Sequence, residues 1–151
     1  SIMSLTRGKC REEIFPIGKL DKKSTGLMLF SNDNDLSKKI TKKSLKIKSI
    51  YHATLNKNLN DSDLNKIKTK RWSEFGIQIN DIAYANQNDK KEIGIEIVGP
   101  TKNIIEKIFE QFDYQTTKID RVYYGGLTKK NLARKESRFL TEEEVSILKR
   151  Q

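Results

Sequence analysis

The 151-residue chain carries 30 Lys and Arg against 20 Asp and Glu, a formal net charge of +10, and is 35% hydrophobic and 33% charged. That length suits one folded domain, and positive charge recurring from end to end favours an anionic partner, nucleic acid first, although over-use of Lys, Asn and Ile supplies part of it by composition alone. One cysteine (Cys10) excludes an internal disulfide framework, one histidine (His52) leaves no zinc set, and neither a membrane-span run nor a signal-peptide pattern is present, so a cytoplasmic protein is expected.

The opening SIMSLTRGKCREE reads as a short helix or turn. Two apolar runs, Ile14 to Ile17 and Gly26 to Phe30, predict strands around a Lys/Ser/Thr/Gly turn. Asp33 or Asn34 then caps a helix to about Lys43, with Leu36 and Ile40 on its buried face. The segment 45–55 alternates as a strand, presenting Leu45, Ile47, Tyr51, Ala53 and Leu55 on one face after a break at Ser49. Asn60-Asp61-Ser62 caps a helix through Leu64 and Ile67 that ends in the basic run Lys68 to Arg71.

The second half repeats this grammar. Ile77, Ile79 and the Ile82 to Tyr84 segment give one strand, Glu92 to Val98 another, and Asp89-Lys90-Lys91 predicts an antiparallel hairpin between them. Gly99-Pro100-Thr101 ends that strand and opens a helix to about Phe112, with Ile104, Ile105, Ile108, Phe109 and Phe112 as its apolar stripe. A strand over Thr116 to Tyr123 precedes the turn Gly125-Gly126. Thr141 and Glu144 form a capping box for a last helix. The pattern predicts an α+β fold with a mixed, mainly antiparallel sheet and flanking helices, as one domain over 1–151.

The densest chemical signal is FPIGKLDKKSTGLMLFSND, residues 15–33. Its one loop acid, Asp21, stands among Lys19, Lys22 and Lys23, and nearby cations hold a carboxylate ionised. Such a group is a poor proton donor and a plausible nucleophile, although most loop acids only accept hydrogen bonds from turn amides. Tyr51 reads equally as core packing with its hydroxyl at the rim, Arg121 as a solvated or sheet-edge charge, and Trp72 as a core plug or a base-stacking platform. Gly125-Gly126 fits neither a P-loop nor a dinucleotide fingerprint, and His52 has no nucleophile beside it.

PIGKLDKKSTGLMLFSNDNDLSKKIT resembles the second motif of the RsuA/RluB-type ribosomal RNA pseudouridine synthases, Val-Gly-Arg-Leu-Asp followed by Thr-(Ser/Thr)-Gly-Leu-Leu-Leu and Thr-Asn-Asp. In the same order, KIKSIYHATL resembles their Lys-x-Tyr strand, KIDRVYYGGLTKKNL their Leu-x-Arg-Val-x-x-Gly-x-Leu segment, and RFLTEEEV their terminal Trp-Arg-x-Leu-Thr-x-x-Glu. IMSLTRGKCREEIFPIG is similar to the stretch preceding the motif. The resemblance implies an isomerase that turns a chosen uridine of ribosomal RNA into pseudouridine, as a monomer and without cofactor or metal. It makes Asp21 the essential group and Tyr51 the residue that packs on the flipped base and helps move its proton. It assigns RNA contact to Lys19, Lys22, Lys23, Thr25, Lys48 and Arg121.

Two departures accompany the likeness. The family's small N-terminal RNA-binding domain and its opening Asn-Lys-Pro-x-Gly strand are missing from this sequence, which implies weaker RNA affinity and blurred site choice. Where relatives read Gly-Arg-Asn-Arg-x-(Val/Ile)-Arg-Arg, this chain reads Pro100-Thr101-Lys102-Asn103-Ile104-Ile105-Glu106-Lys107. Glu106 thus falls where the arginine partner of the aspartate is expected. A second carboxylate tends to raise one of two neighbouring pKa values, and Lys102 or Lys107 would substitute without the bidentate fork of arginine. The alternative that follows is a catalytically decayed RNA-binding protein of the same fold.

Overall fold

The computed structural model describes residues 14–17, 20, 24–42, 46–100, 103–130, 132–133 and 135–150, with only the backbone of 41 and 42. The opening helix, Leu45, and the site residues Asp21, Lys19, Lys22, Lys23 and Lys102 lie outside them.

Eight strands and four α-helices follow in chain order: β1 (Phe15–Ile17), β2 (Ser24–Gly26), β3 (Leu29–Ser31), α1 (Asn34–Lys42), β4 (Lys48–Leu55), α2 (Asp61–Thr69), β5 (Gln78–Tyr84), β6 (Glu92–Val98), α3 (Ile104–Glu110), β7 (Thr116–Tyr124), β8 (Leu127–Thr128) and α4 (Glu142–Lys149). The main sheet runs β2-β7-β4-β6-β5, with β8 also on β7, and β1 pairs β3 separately. Every pairing is antiparallel except β2 on β7, which is parallel. No helix among the described residues is long and apolar enough to cross a membrane.

Alternation explains how the sheet divides its residues. In β4 the odd positions Ser49, Tyr51, Ala53 and Leu55 are buried and the even ones are not, as a two-residue repeat requires when one face is covered. Ser49 does not interrupt the buried face: it is 1% exposed and the pairing of β4 with β6 runs through it, although the pairing with β7 shifts between Ile50 and Tyr51. On the covered face, α3 contributes Ile104, Ile105, Ile108 and Phe109 to a core shared with Ala53, Ile93, Ile95, Ile97 and Ile119. A second cluster joins Ile17, Leu29, Ile40, Ile47, Leu127 and Leu148. Trp72 proves to be a plug of the first core, 2% exposed, with its indole N–H donating to the Ile67 carbonyl at 3.0 Å.

Caps set the helix ends. Asp33 Oδ1 accepts from the Leu36 amide at 3.0 Å and Asn60 Oδ1 from the Asp63 amide at 2.7 Å, each satisfying an amide that the helix cannot. The helix after β6 starts at Ile104, because Asn103 takes a left-handed conformation (φ 55°) just before it. Thr141 and Glu144 form the reciprocal capping box, and Arg138 grips the same carboxylate through two nitrogens at 2.8 and 2.7 Å.

The Arg138 hydrogen bonds, joined by the Thr141 amide, bring the Glu144 carboxyl down to about 2 from an ordinary 4.5. A depressed acid stabilises the fold above its unfolded value and loses that contribution as pH falls through the folded one. Stability is therefore expected to drop between pH 4.5 and about 2 by an amount that Glu144→Gln removes. The pair is on the surface, so the difference should be about 1 kcal/mol or less. Urea melts at pH 5 and pH 2.5 of the two proteins measure it.

Candidate active site

In sequence, the segment that carries Asp21 is followed by β2. That strand sits on β7 with Ser24 opposite Ile119, Thr25 opposite Asp120 and Gly26 opposite Arg121. The run expected as one strand from Gly26 to Phe30 is divided in two, with Leu27 and Met28 between β2 and β3. Gly26 causes the division: its φ is +110°, and a Cβ there would lie 2.2 Å from the Arg121 carbonyl oxygen. Only glycine combines that dihedral with that approach.

Arg121 locks the next residue from both sides. The Leu27 amide donates to the Arg121 carbonyl at 3.0 Å, and Nε and Nη2 of Arg121 donate back to the Leu27 carbonyl at 3.0 and 2.5 Å. The guanidinium also stacks 4.0 Å from the Tyr124 ring centroid. Arg121 is 3% exposed, on a strand flanked by β2 and β4. The expectation of a solvated or sheet-edge charge is therefore corrected, and with it the assignment of Arg121 to the RNA surface: its donors face a main-chain carbonyl inside the fold. Tyr51 opposes Arg121 across β4 and β7 and is itself 3% exposed. Burial raises the Tyr124 hydroxyl pKa, the Arg121 cation offsets part of this, and nearby Tyr51 adds to it. Ser49 Oγ, on the same face, is buried without a hydrogen-bond partner among the described residues.

The opposite face carries a different set. Thr25, Asp120 and His52 are neighbours across β2, β7 and β4. Asp120 pairs with Lys129, Thr25 Oγ1 donates to the Ile119 carbonyl at 3.2 Å, and His52 Nε2 lies 3.7 Å from Glu92 Oε1. These groups border a cavity of about 680 Å³ whose walls include Leu27 and Leu140, the mixed polar and apolar lining common to ligand pockets. Lys48 lies toward the other end of β4, 3.8 Å from Glu96 and 5.3 Å from the Tyr123 ring centroid. The structure thus brings Thr25 to the cavity and Tyr51 together with Arg121, but Tyr51 does not line the cavity and Lys48 stands apart. Glu106 is half-buried in the first turn of α3.

Sequence reasoning missed Asp120, Lys129 and Tyr124. Strand alternation in IDRVYY could have placed Asp120 opposite His52, but nothing local announces a guanidinium stacked on Tyr124. Among the described residues no group of three His, Cys, Asp or Glu is arranged to hold a metal ion.

The fold is shared with a solved pseudouridylate synthase: the two superpose with a TM-score of 0.79 over 98% of this chain and 65% of the other, at 18% identity. The archaeal box H/ACA sRNP Nop10-Cbf5 complex shares it more distantly, with a TM-score of 0.56 over 81% of this chain and 41% of that one, at 11% identity. A family model described as RNA pseudouridylate synthase matches residues 1–149, and the chain belongs to that family.

Its relatives include an uncharacterized RNA pseudouridine synthase of Rickettsia bellii (strain RML369-C), 32% identical over 86% of this chain and 57% of the relative. The dual-specificity RNA pseudouridine synthase RluF of Salmonella typhi is 29% identical over 89% of this chain and 46% of the relative. An uncharacterized RNA pseudouridine synthase of Aquifex aeolicus (strain VF5) is 27% identical over 91% and 57%. The chain spans about half the length of the curated relatives it matches.

Proposed function

We propose that the chain is the catalytic domain, over 1–151, of an isomerase that converts a specific uridine of ribosomal RNA into pseudouridine, acting without cofactor as a cytoplasmic monomer. The observation that carries this reading is the family match over 1–149, which takes in GKLDKKSTG and the strand β2 that anchors it. The names of the relatives, RluF among them, support RNA as substrate.

In this reaction the Asp21 carboxylate acts at the ribose. Either it bonds to C1′ as the N1–C1′ bond breaks and its electron pair stays on the base, or it removes the C2′ proton to give a glycal. The base turns over and C5 bonds to C1′, as the Asp21–C1′ bond breaks on the first route or as C2′ takes its proton back from Asp21 on the second. The C5 proton is lost as N1 gains one, so substrate and product are isomers and no redox partner is needed. The base must first leave its stack, at a cost of a few kcal/mol met by contacts to the flipped nucleotide. Tyr51, 3% exposed on the covered face, is the partner expected to pack on it. Lys19, Lys22 and Lys23 are the proposed phosphate contacts, with Thr25 and Lys48 as further RNA contacts; Arg121 leaves the RNA-contact set because its guanidinium is engaged inside the fold.

The test incubates the protein with a ribosomal RNA transcript and maps carbodiimide-induced reverse-transcription stops. A stop that appears with wild type and is lost with Asp21→Asn is expected. Absence of any stop, with RNA binding retained and weakened by salt, would instead identify a decayed RNA-binding protein, the reading that Glu106 in the third motif favours.

A further inference from the structure

We infer that Arg121 is a positioning residue for this isomerisation, setting the direction of β2, the strand that follows Asp21 in sequence, at its contact with β7. The inference rests on the proposed activity and adds a residue that acts through the backbone of Leu27 rather than on the substrate.

Four observations converge on the corner at Gly26 and Leu27. Gly26 lacks the Cβ that would strike Arg121 O at 2.2 Å. The Leu27 amide and carbonyl are both held by the one residue Arg121. The Tyr124 ring lies against the guanidinium, 4.0 Å from its centroid to the guanidinium carbon. The cation is 3% exposed.

The last point separates positioning from plain bonding. A strand-end carbonyl is satisfied by water, a neutral side chain or an amide. Burying an ion costs several kcal/mol even after relaxation, and a guanidinium offers what a neutral donor does not, a rigid two-pronged fork on one acceptor. Two bonds from one plane fix the direction of the Leu27 carbonyl, and hence the path of the three-residue strand that begins three residues after Asp21. Small misplacements of a reacting group, of about 1 Å, lower rates by about a hundredfold.

The test compares wild type, Arg121→Lys and Arg121→Met on the same RNA, below the melting temperature of all three. Turnover is expected to fall about a hundredfold in Arg121→Met and about tenfold in Arg121→Lys, while RNA affinity and its salt slope stay at the wild-type value. Amide exchange in the segment 24–29 should quicken at least tenfold in Arg121→Met, with β6 unchanged. A fall in affinity with a salt slope reduced by about one would make Arg121 a phosphate contact and overturn the inference. Wild-type turnover in the folded variants would overturn it and leave the activity standing. If wild type makes no pseudouridine, the activity fails on its own; the exchange measurement still decides, because unchanged exchange at 24–29 removes the positioning role.

Discussion

Gly26→Ala is expected to cost about 2–6 kcal/mol, summing roughly 1–3 for overpacking and 1–3 for backbone strain. A methyl group there meets the Arg121 oxygen, nitrogen and carbonyl carbon at 2.2, 2.5 and 2.8 Å. All three are backbone atoms of a strand held on both sides, so none can swing away as a side-chain end would. The dihedral adds to this, because φ of +110° is almost closed to alanine. Set against a typical total of about 5–15 kcal/mol, the loss takes a large share of stability. Gly94→Ala is the internal control: the nearest atom to its Cβ would be the Ala83 oxygen at 3.9 Å, an ordinary contact. That variant should stay within about 1 kcal/mol of wild type. Urea unfolding of the two proteins side by side measures both, and equal midpoints would contradict the account of the Gly26 corner.

Glu106→Arg is expected to raise pseudouridine formation by about tenfold to a hundredfold, on the proposed reading that this position faces Asp21. A hydrogen bond to a charged group contributes about 1.5–3 kcal/mol, and each 1.36 kcal/mol in a barrier is a factor of ten. The gain should carry a small stability cost. Glu106 is the acid in the first turn of α3, where a carboxylate favours the helix dipole by about 0.3–1 kcal/mol. Single-turnover kinetics with tritium release from C5 of uridine gives the rate, and a thermal melt gives the cost. A variant that melts slightly earlier and turns over no faster would show that Glu106 does not occupy the arginine's place.

Elements governed by local rules were legible in the sequence. Strict alternation in EIGIEIV placed β6 at Glu92–Val98, and Thr141 with Glu144 placed the start of α4. Elements governed by distant partners were not. The strand β8 is two residues long and exists because Tyr123 and Tyr124 offer it a ladder. The division of β2 from β3 depends on Arg121, 95 residues beyond Gly26 in the chain. Ser49 reads as a break because serine is usually exposed, yet its place in β4 buries it whatever its polarity. The same prior put Arg121 outside. Its burial follows from a carbonyl at Leu27 and a ring at Tyr124, two features that a charge pattern does not contain.

The parallel contact between β2 and β7 has a consequence for how the molecule assembles. Thr25 and Ile119 are 94 positions apart, whereas β5 and β6 are joined by a short turn and can pair locally. Closing a long loop costs chain entropy before any contact repays it. The β5–β6 hairpin is therefore expected to form before β2 is laid on β7. A chain still on the ribosome has no partner for β2 until β7 has emerged, and a molecule clipped before β7 loses the β2 ladder together with the Ile119 that β7 gives the main core.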